Sequence, residues 1–264
     1  MHINIDDYSI NYKISGSGEK TAVILQGWGT EMNMYDSIAN ALSDTYRVVQ
    51  FDFPGFGGSD EPDEAWNVEK YSDFFIKFMN KLEIKEAVLI GHSYGGRVII
   101  KLASKENLAF TISKIVLVDS AGIMPKKNFV QRMKIKRYKI KKAVLTNRYV
   151  HAMFPDVIDY WLSKQGSEDY RNASPIMKKC LVMAVNEDQM ESLHLINQET
   201  LLVWGDLDDA TPIEDAKVME EKIPNSELVV FEGAGHYSFL EQPGKFRSVL
   251  RFFLFDDMAG GVIE

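Results

Sequence analysis

Three residue types that together make a nucleophile occur in this chain in a suggestive arrangement. Ser93 stands in Gly91-His92-Ser93-Tyr94-Gly95-Gly96, directly after the apolar run Glu86 to Ile90 and before a helix-compatible stretch, Arg97 to Lys105. That is a G-x-S-x-G elbow in a strand-turn-helix setting, where a tight turn excludes bulk at Gly91 and Gly95 and leaves the serine hydroxyl exposed. The plainer reading of Ser93 is a helix N-cap. A serine hydroxyl is a weak nucleophile near neutral pH; it needs a general base, and the base needs a carboxylate to orient it. The C-terminal third offers both. The loop Gly205-Asp206-Leu207-Asp208-Asp209-Ala210-Thr211-Pro212 follows one apolar run, and Gly233-Ala234-Gly235-His236 follows the next. Asp206, Asp208 and Asp209 are candidate carboxylates, and Asp119, after an earlier run, is another. His2, His151 and His194 lack a comparable loop and read as surface or packing residues. His92, next to the serine, reads as a structural residue pointing away from it.

These loops must be carried by a scaffold. Runs rich in β-branched and aromatic residues at Tyr8 to Ile14, Thr21 to Gln26, Arg47 to Phe53, Glu86 to Ile90, Lys114 to Val118, Thr200 to Trp204 and Glu227 to Phe231 predict strands. Most are continuously apolar, as strands buried on both faces are. Stretches of 3.6-residue period, such as Val68 to Leu82 and Lys245 to Phe255, predict helices between them. Strands alternating with helices imply an α/β fold with a mostly parallel central sheet covered on both faces. Catalytic loops then sit at the carboxyl ends of the strands. The alternation stops between Met124 and Asn197, where helical patterning predicts an inserted cap (124–197) on a core made of 1–123 and 198–264.

With 264 residues, 45% of them hydrophobic, the chain can bury one sizeable core. No run approaches the roughly 18 uncharged residues of a membrane span. The single cysteine, Cys180, fits a reducing compartment, so the protein is expected in the cytoplasm. No histidine or cysteine spacing suggests a metal, and the glycine-rich Phe53 to Ser59 lacks the lysine of a phosphate loop, so no cofactor is expected. A net charge of -8 argues against a nucleic-acid partner. The charge is uneven. Lys126 to Arg148 holds ten Lys or Arg and no Asp or Glu, which against a net of -8 leaves -18 on the rest of the chain.

The chain resembles the capped α/β-hydrolases related to serine esterases, meta-cleavage-product hydrolases and cofactor-free haloperoxidases. The resemblance rests on Gln26-Gly27-Trp28-Gly29, Asp52-Phe53-Pro54-Gly55-Phe56-Gly57-Gly58-Ser59, the elbow, the Gly205 to Pro212 loop and Gly235-His236. It covers nearly everything outside the cap. The order Ser93, Asp208, His236 is the order of that fold. The family's acid lies three residues after the loop glycine, which implies Asp208; its occasional alternative would be Asp119. The resemblance further implies an oxyanion hole from the backbone N–H groups of Trp28 and Tyr94. The residue before Gly27 is usually histidine in the family, and here it is Gln26.

The implied function is hydrolysis of a small carboxylic ester or related acyl compound through an acyl-enzyme on Ser93, with His236 as base and a pH profile rising through a histidine pKa of about 6 to 7. A serine at the elbow argues against epoxide hydrolases and dehalogenases of this fold, which place an aspartate there. Two rivals use the same residues or the same fold. One is carbon-carbon bond hydrolysis or a lyase reaction, disfavoured because those hydrolases typically carry tryptophan after the histidine and this chain has Tyr237. The other is a ligand receptor without turnover. The basic segment reads most simply as a solvated helix with Phe129, Met133, Ile140 and Val144 forming a buried stripe. Its sharper reading is a field that attracts anionic substrates or an anionic surface.

Overall fold

Apolar side chains alternate between the two faces of the central strands and fill a separate core on each side of the sheet. Val23 and Leu25 enter one core with Leu89, Leu117 and Trp204, while Ala22 and Ile24 enter the other with Ile90, Val118 and Val203. A strand buried on both faces has no room for a polar phase, which explains the continuous apolar runs in the sequence.

The computed structural model describes residues 1–124, 129–164 and 168–255. The chain runs β1 (His2–Ile5), β2 (Tyr8–Ser15), β3 (Lys20–Leu25), α1 (Asp36–Leu42), β4 (Tyr46–Phe51), α2 (Val68–Lys81), β5 (Glu86–His92), α3 (Tyr94–Ala103) and β6 (Thr111–Val118). There follow α4 (Phe129–Leu145), α5 (Arg148–Met153), α6 (Pro155–Ser163), α7 (Glu168–Asn172) and α8 (Pro175–Asn186). The chain then returns to the sheet through β7 (Glu199–Gly205), α9 (Ile213–Lys222), β8 (Ser226–Phe231), α10 (Ser238–Glu241) and α11 (Pro243–Phe255).

The sheet order is β1-β2-β4-β3-β5-β6-β7-β8. Pairing is parallel from β4 to β8 and antiparallel at β1, β2 and the β2–β4 contact. The mostly parallel α/β sheet expected from the sequence is therefore present, with one addition: β1, four residues long and alternating polar with apolar, was not among the predicted strands and pairs with β2. After β3 the chain moves to one side of the sheet, and after β5 to the other. The crevice between these neighbouring strand ends is the switch point where such folds hold ligands.

Helices α2 and α3 cover one face. Asn67 caps α2, its side chain accepting from the Lys70 amide, and Tyr71, Phe74, Phe75 and Phe78 line up at helical spacing to bury against β3, β4 and β5. α1 and α11 cover the other face through Ile38, Leu42, Phe246 and Leu250. α8, started by Ser174 and Pro175, sends Met177, Cys180 and Ala184 into the first core.

The buried stripe expected in α4 is not there. Met133, Ile140 and Val144 are exposed. Lys126 and Lys127, and the side chains of Phe129, Arg132 and Lys134, lie outside the described structure. Among the described side chains of α4 to α7 only Ile158 is fully buried, and Tyr138 of α4 instead rests against Trp161 of α6. Periodicity identified a face but not what covers it. Among the described residues no helix is long and apolar enough to cross a membrane.

Candidate active site

Ser93 is the first residue beyond β5 and sits at φ 50°, ψ -110°, a left-handed conformation that costs a non-glycine residue of order 1–3 kcal/mol. The surroundings hold it there. Its amide donates to the Val118 carbonyl at 3.0 Å, and its carbonyl accepts from Gly96 at 3.1 Å and Ala121 at 3.0 Å. The elbow is pressed against the end of β3: a Cβ on Gly95 would fall 2.1 Å from the Leu25 carbonyl oxygen, so no larger residue fits. A Cβ on Gly91 would lie 2.6 Å from the Gly96 amide.

The strained turn aims the hydroxyl at His236. Ser93 Oγ lies 3.0 Å from His236 Nε2, and His236 Nδ1 lies 2.8 Å from Asp208 Oδ2. The three residues are brought together from the carboxyl ends of β5, β7 and β8 across sequence separations of 143 and 28. Asp208 Oδ1 accepts from the amides of Ala210 at 2.8 Å and Thr211 at 2.9 Å. The Thr211 hydroxyl lies 2.7 Å from Oδ2. Burial by itself would raise the Asp208 carboxyl, but the donors from His236 and Thr211 outweigh it and hold the group below the ordinary aspartate value. Burial likewise works against a charged His236, and again the Asp208 hydrogen bond and charge win, raising the imidazole above its ordinary value of 6.5.

The other candidate carboxylates go elsewhere. Asp206 accepts from the Gly233 amide at 2.6 Å and Asp209 is exposed. Asp119 is fully buried and does not touch the His236 ring. Its Oδ1 accepts from the Gly205 amide at 2.9 Å, and its Oδ2 from the Ser238 amide at 3.0 Å and hydroxyl at 2.7 Å. Burial pushes its carboxyl up to about 7 against those three donors. Asp119 thus ties the loop that carries Asp208 to the turn that carries His236.

Trp28 and Tyr94 meet at the crevice, their rings 5.1 Å apart at 86°. Tyr94 opens α3, so its amide lacks an intrahelical acceptor. Gln26, in place of the expected histidine, is buried; its amide group donates to the Thr30 carbonyl, and its Oε1 has no partner among the described residues. The loop geometry is set from another direction. Gly27 N–H donates to the Tyr35 hydroxyl at 2.7 Å, the Tyr35 hydroxyl to His92 Nδ1 at 3.0 Å, and His92 Nε2 to the His236 carbonyl at 2.8 Å. His92 therefore turns toward the site, where the sequence suggested it points away. Desolvation, with the neighbouring His236 charge, drops its pKa to about 3, so it stays neutral and serves as a fixed donor and acceptor. Neither Tyr35 nor the bridging role of Asp119 had a sequence signal, because each joins residues that only the fold makes neighbours; Thr211 holds a carboxylate three residues away, but its type alone did not mark it.

A cavity of about 500 Å³ opens over Ser93 and His236. Trp28, Tyr94, Tyr170 and Tyr237 line it with Leu181, Val182, Ala184 and Val185 of α8. Buried Arg97 also borders it and donates to the Glu187 carbonyl. Among the described residues no group of three or more His, Cys, Asp or Glu side chains could hold a metal.

The model of the family described as alpha/beta hydrolase fold matches residues 21–243. The chain belongs to this family. Within the alpha/beta hydrolases it is similar to the pimeloyl-[acyl-carrier protein] methyl ester esterase of Aliivibrio fischeri strain MJ11, with 25% identity over 93% of this chain and 97% of that one. Solved structures of the same shape include an esterase of Exiguobacterium antarcticum, with TM-score 0.73 and 23% identity over 94% of this chain and 96% of that one. A meta-cleavage product hydrolase of Pseudomonas fluorescens IP01 gives TM-score 0.72 and 22% identity over 97% and 98%. At these identities the structural likeness is one of fold.

Proposed function

We propose that the protein is a serine hydrolase of small carboxylic esters or related acyl compounds, cytoplasmic, with Ser93, His236 and Asp208 as its catalytic residues. The observation that carries the reading is the continuous relay from Ser93 Oγ to His236 Nε2 at 3.0 Å and from His236 Nδ1 to Asp208 Oδ2 at 2.8 Å. Neutral His236 takes the hydroxyl proton as Ser93 Oγ attacks the acyl carbonyl. The tetrahedral oxyanion is held by the backbone N–H groups of Tyr94 and Trp28. Its collapse expels the alcohol, which leaves with the proton from His236, and the acyl group stays on Ser93. Water then attacks the ester, its proton passing to His236, and the acid is released as the proton returns to Ser93. Asp208 holds the imidazole in the required tautomer throughout.

Residues 124–197 act as a cap in this reading, which is supported by the side chains α8 contributes to the cavity. The buried, unpaired Cys180 fits a reducing compartment. An anionic acyl group would meet Arg97 in the cavity wall, so the test uses p-nitrophenyl esters of increasing chain length, each neutral and with a terminal carboxylate. Turnover of at least one series, with Ser93→Ala lowering kcat on the order of a millionfold, is the expected result. Tight binding without turnover would make the protein a receptor, and turnover that survives Ser93→Ala would discard the mechanism.

A further inference from the structure

The exposed apolar side chains of this protein are unevenly placed. Nine of the nineteen large ones among the described residues fall in the twenty-eight residues from Met133 to Tyr160. On α4 they are aligned. Met133 (44% exposed), Ile140 (57%) and Val144 (55%) recur at seven- and four-residue steps, within roughly 40° of one another around the helix axis. The side packed on α6 lies about a third of a turn away, where Tyr138 rests on Trp161 and Lys141 stands 4.8 Å over the same ring. The stripe therefore faces solvent, and Lys136 and Arg137, both exposed, flank it on either side.

The charge around the stripe is of one sign. Lys136 and Arg137 beside the stripe, and Lys139 and Lys142 further round the helix, are exposed and belong to none of the ion pairs formed among the described residues. No Asp or Glu occurs between Lys126 and Arg148, although the rest of the chain is strongly acidic. An apolar stripe rimmed by cations with flexible stems, on a helix unable to span a bilayer, is the arrangement that lies in a lipid headgroup layer. Isolated exposed apolar residues need no partner, but a register of them inside a one-sign field does.

We propose that α4 is a docking surface for an anionic lipid bilayer: Met133, Ile140 and Val144 enter the headgroup layer, and the flanking Lys136 and Arg137 pair with lipid phosphates. The surface lies outside the proposed catalytic residues, so the two can fail independently. A second copy of the chain is a poor occupant, because a twofold contact through this stripe would set two unbroken cationic segments against each other. Bare phosphate polymers would satisfy the cations and leave the apolar stripe uncovered.

The test is cosedimentation of the full chain with vesicles of phosphatidylcholine and phosphatidylglycerol at 7:3, beside vesicles of phosphatidylcholine alone. Binding to the anionic vesicles at least tenfold tighter than to the neutral ones, and weakened by 0.5 M NaCl, is expected. Ile140→Glu with Val144→Glu should weaken it at least tenfold, as should Lys136→Gln and Arg137→Gln together. Both variants should keep the wild-type Tm and the wild-type turnover of a water-soluble ester. Equal affinity for the two vesicle types, no binding to either, or undiminished binding by both variants would overturn the proposal. So would sedimentation velocity showing a dimer that Ile140→Glu dissociates, which would make the stripe an interface between copies of this chain.

Discussion

The strand ends around Ser93 and the helices α4 to α6 are built on opposite principles. At the strand ends every functional group is held by several others: Asp208 accepts from two amides and a hydroxyl, and Asp119 from two amides and a hydroxyl. His92 is fixed at both ring nitrogens. In α4 to α6 a single described side chain, Ile158, is fully buried, and the apolar residues that should build a core face outward. The first region spends its polar groups on one another to fix positions for chemistry. The second pairs a few side chains, such as Lys141 and Tyr138 on Trp161, and leaves most of its large apolar residues exposed. Precise geometry and stability should therefore respond to change in the first region far more than in the second.

After loss of the proposed nucleophile itself, removing the carboxylate proposed to orient the base should have the largest effect on chemistry. Asp208→Asn is expected to lower kcat on the order of ten-thousandfold with a circular dichroism spectrum like wild type, because the imidazole loses its tautomer. A loss of less than tenfold would put the orienting charge elsewhere. For stability, the core on which those strand ends rest gives Phe78→Ala a cost of about 3–5 kcal/mol, since its ring is fully buried against Phe51 at 4.6 Å between centroids. Val157→Ala, at a position 69% exposed in α6, should stay within about 0.5 kcal/mol. Equal costs in urea unfolding would dissolve the distinction between the two regions.

Asp119→Asn sharpens the comparison within the first region. The sequence alone marked Asp119 only as the alternative to Asp208 for the orienting carboxylate. The structure places it under both loops, where an Asn amide group would face the Ser238 amide donor instead of accepting from it. The expected cost is about 1–3 kcal/mol of stability, with kcat falling less than in Asp208→Asn. The smallest effect concerns pH. In the proposed mechanism His236 must be neutral to accept the Ser93 proton, and its folded pKa is raised chiefly by the Asp208 hydrogen bond against burial. The acid limb of kcat/KM should therefore have its midpoint above the ordinary histidine value of 6.5. A midpoint below 6 would mean that burial, not Asp208, dominates the imidazole.

The parts of this molecule that were legible in the sequence are those written locally. Strand runs, the elbow and the two loops bearing Asp208 and His236 each declare themselves within about ten residues, because backbone geometry demands particular types there. What was not legible depends on residues far apart. Tyr35 and His92 are 57 positions apart and meet only because β3 and β5 are neighbours. Thr211 is only three residues from Asp208, but its hydroxyl also lies 3.0 Å from the Asp119 carbonyl oxygen, 92 positions away. The stripe of α4 failed in the opposite way. Its period is visible, but a period names a face and not the medium on the far side.

The central claim is that the strained elbow presents one activated serine. A fluorophosphonate transfers its phosphonyl group only to a serine whose proton a neighbouring base accepts, so the folded protein should take up one equivalent, mapped by peptide mass to Ser93. Asp208→Asn should slow that labelling strongly, and Ser93→Ala should abolish it. Labelling at another residue, or labelling of Ser93 at the same rate when Asp208 is replaced, would contradict the account.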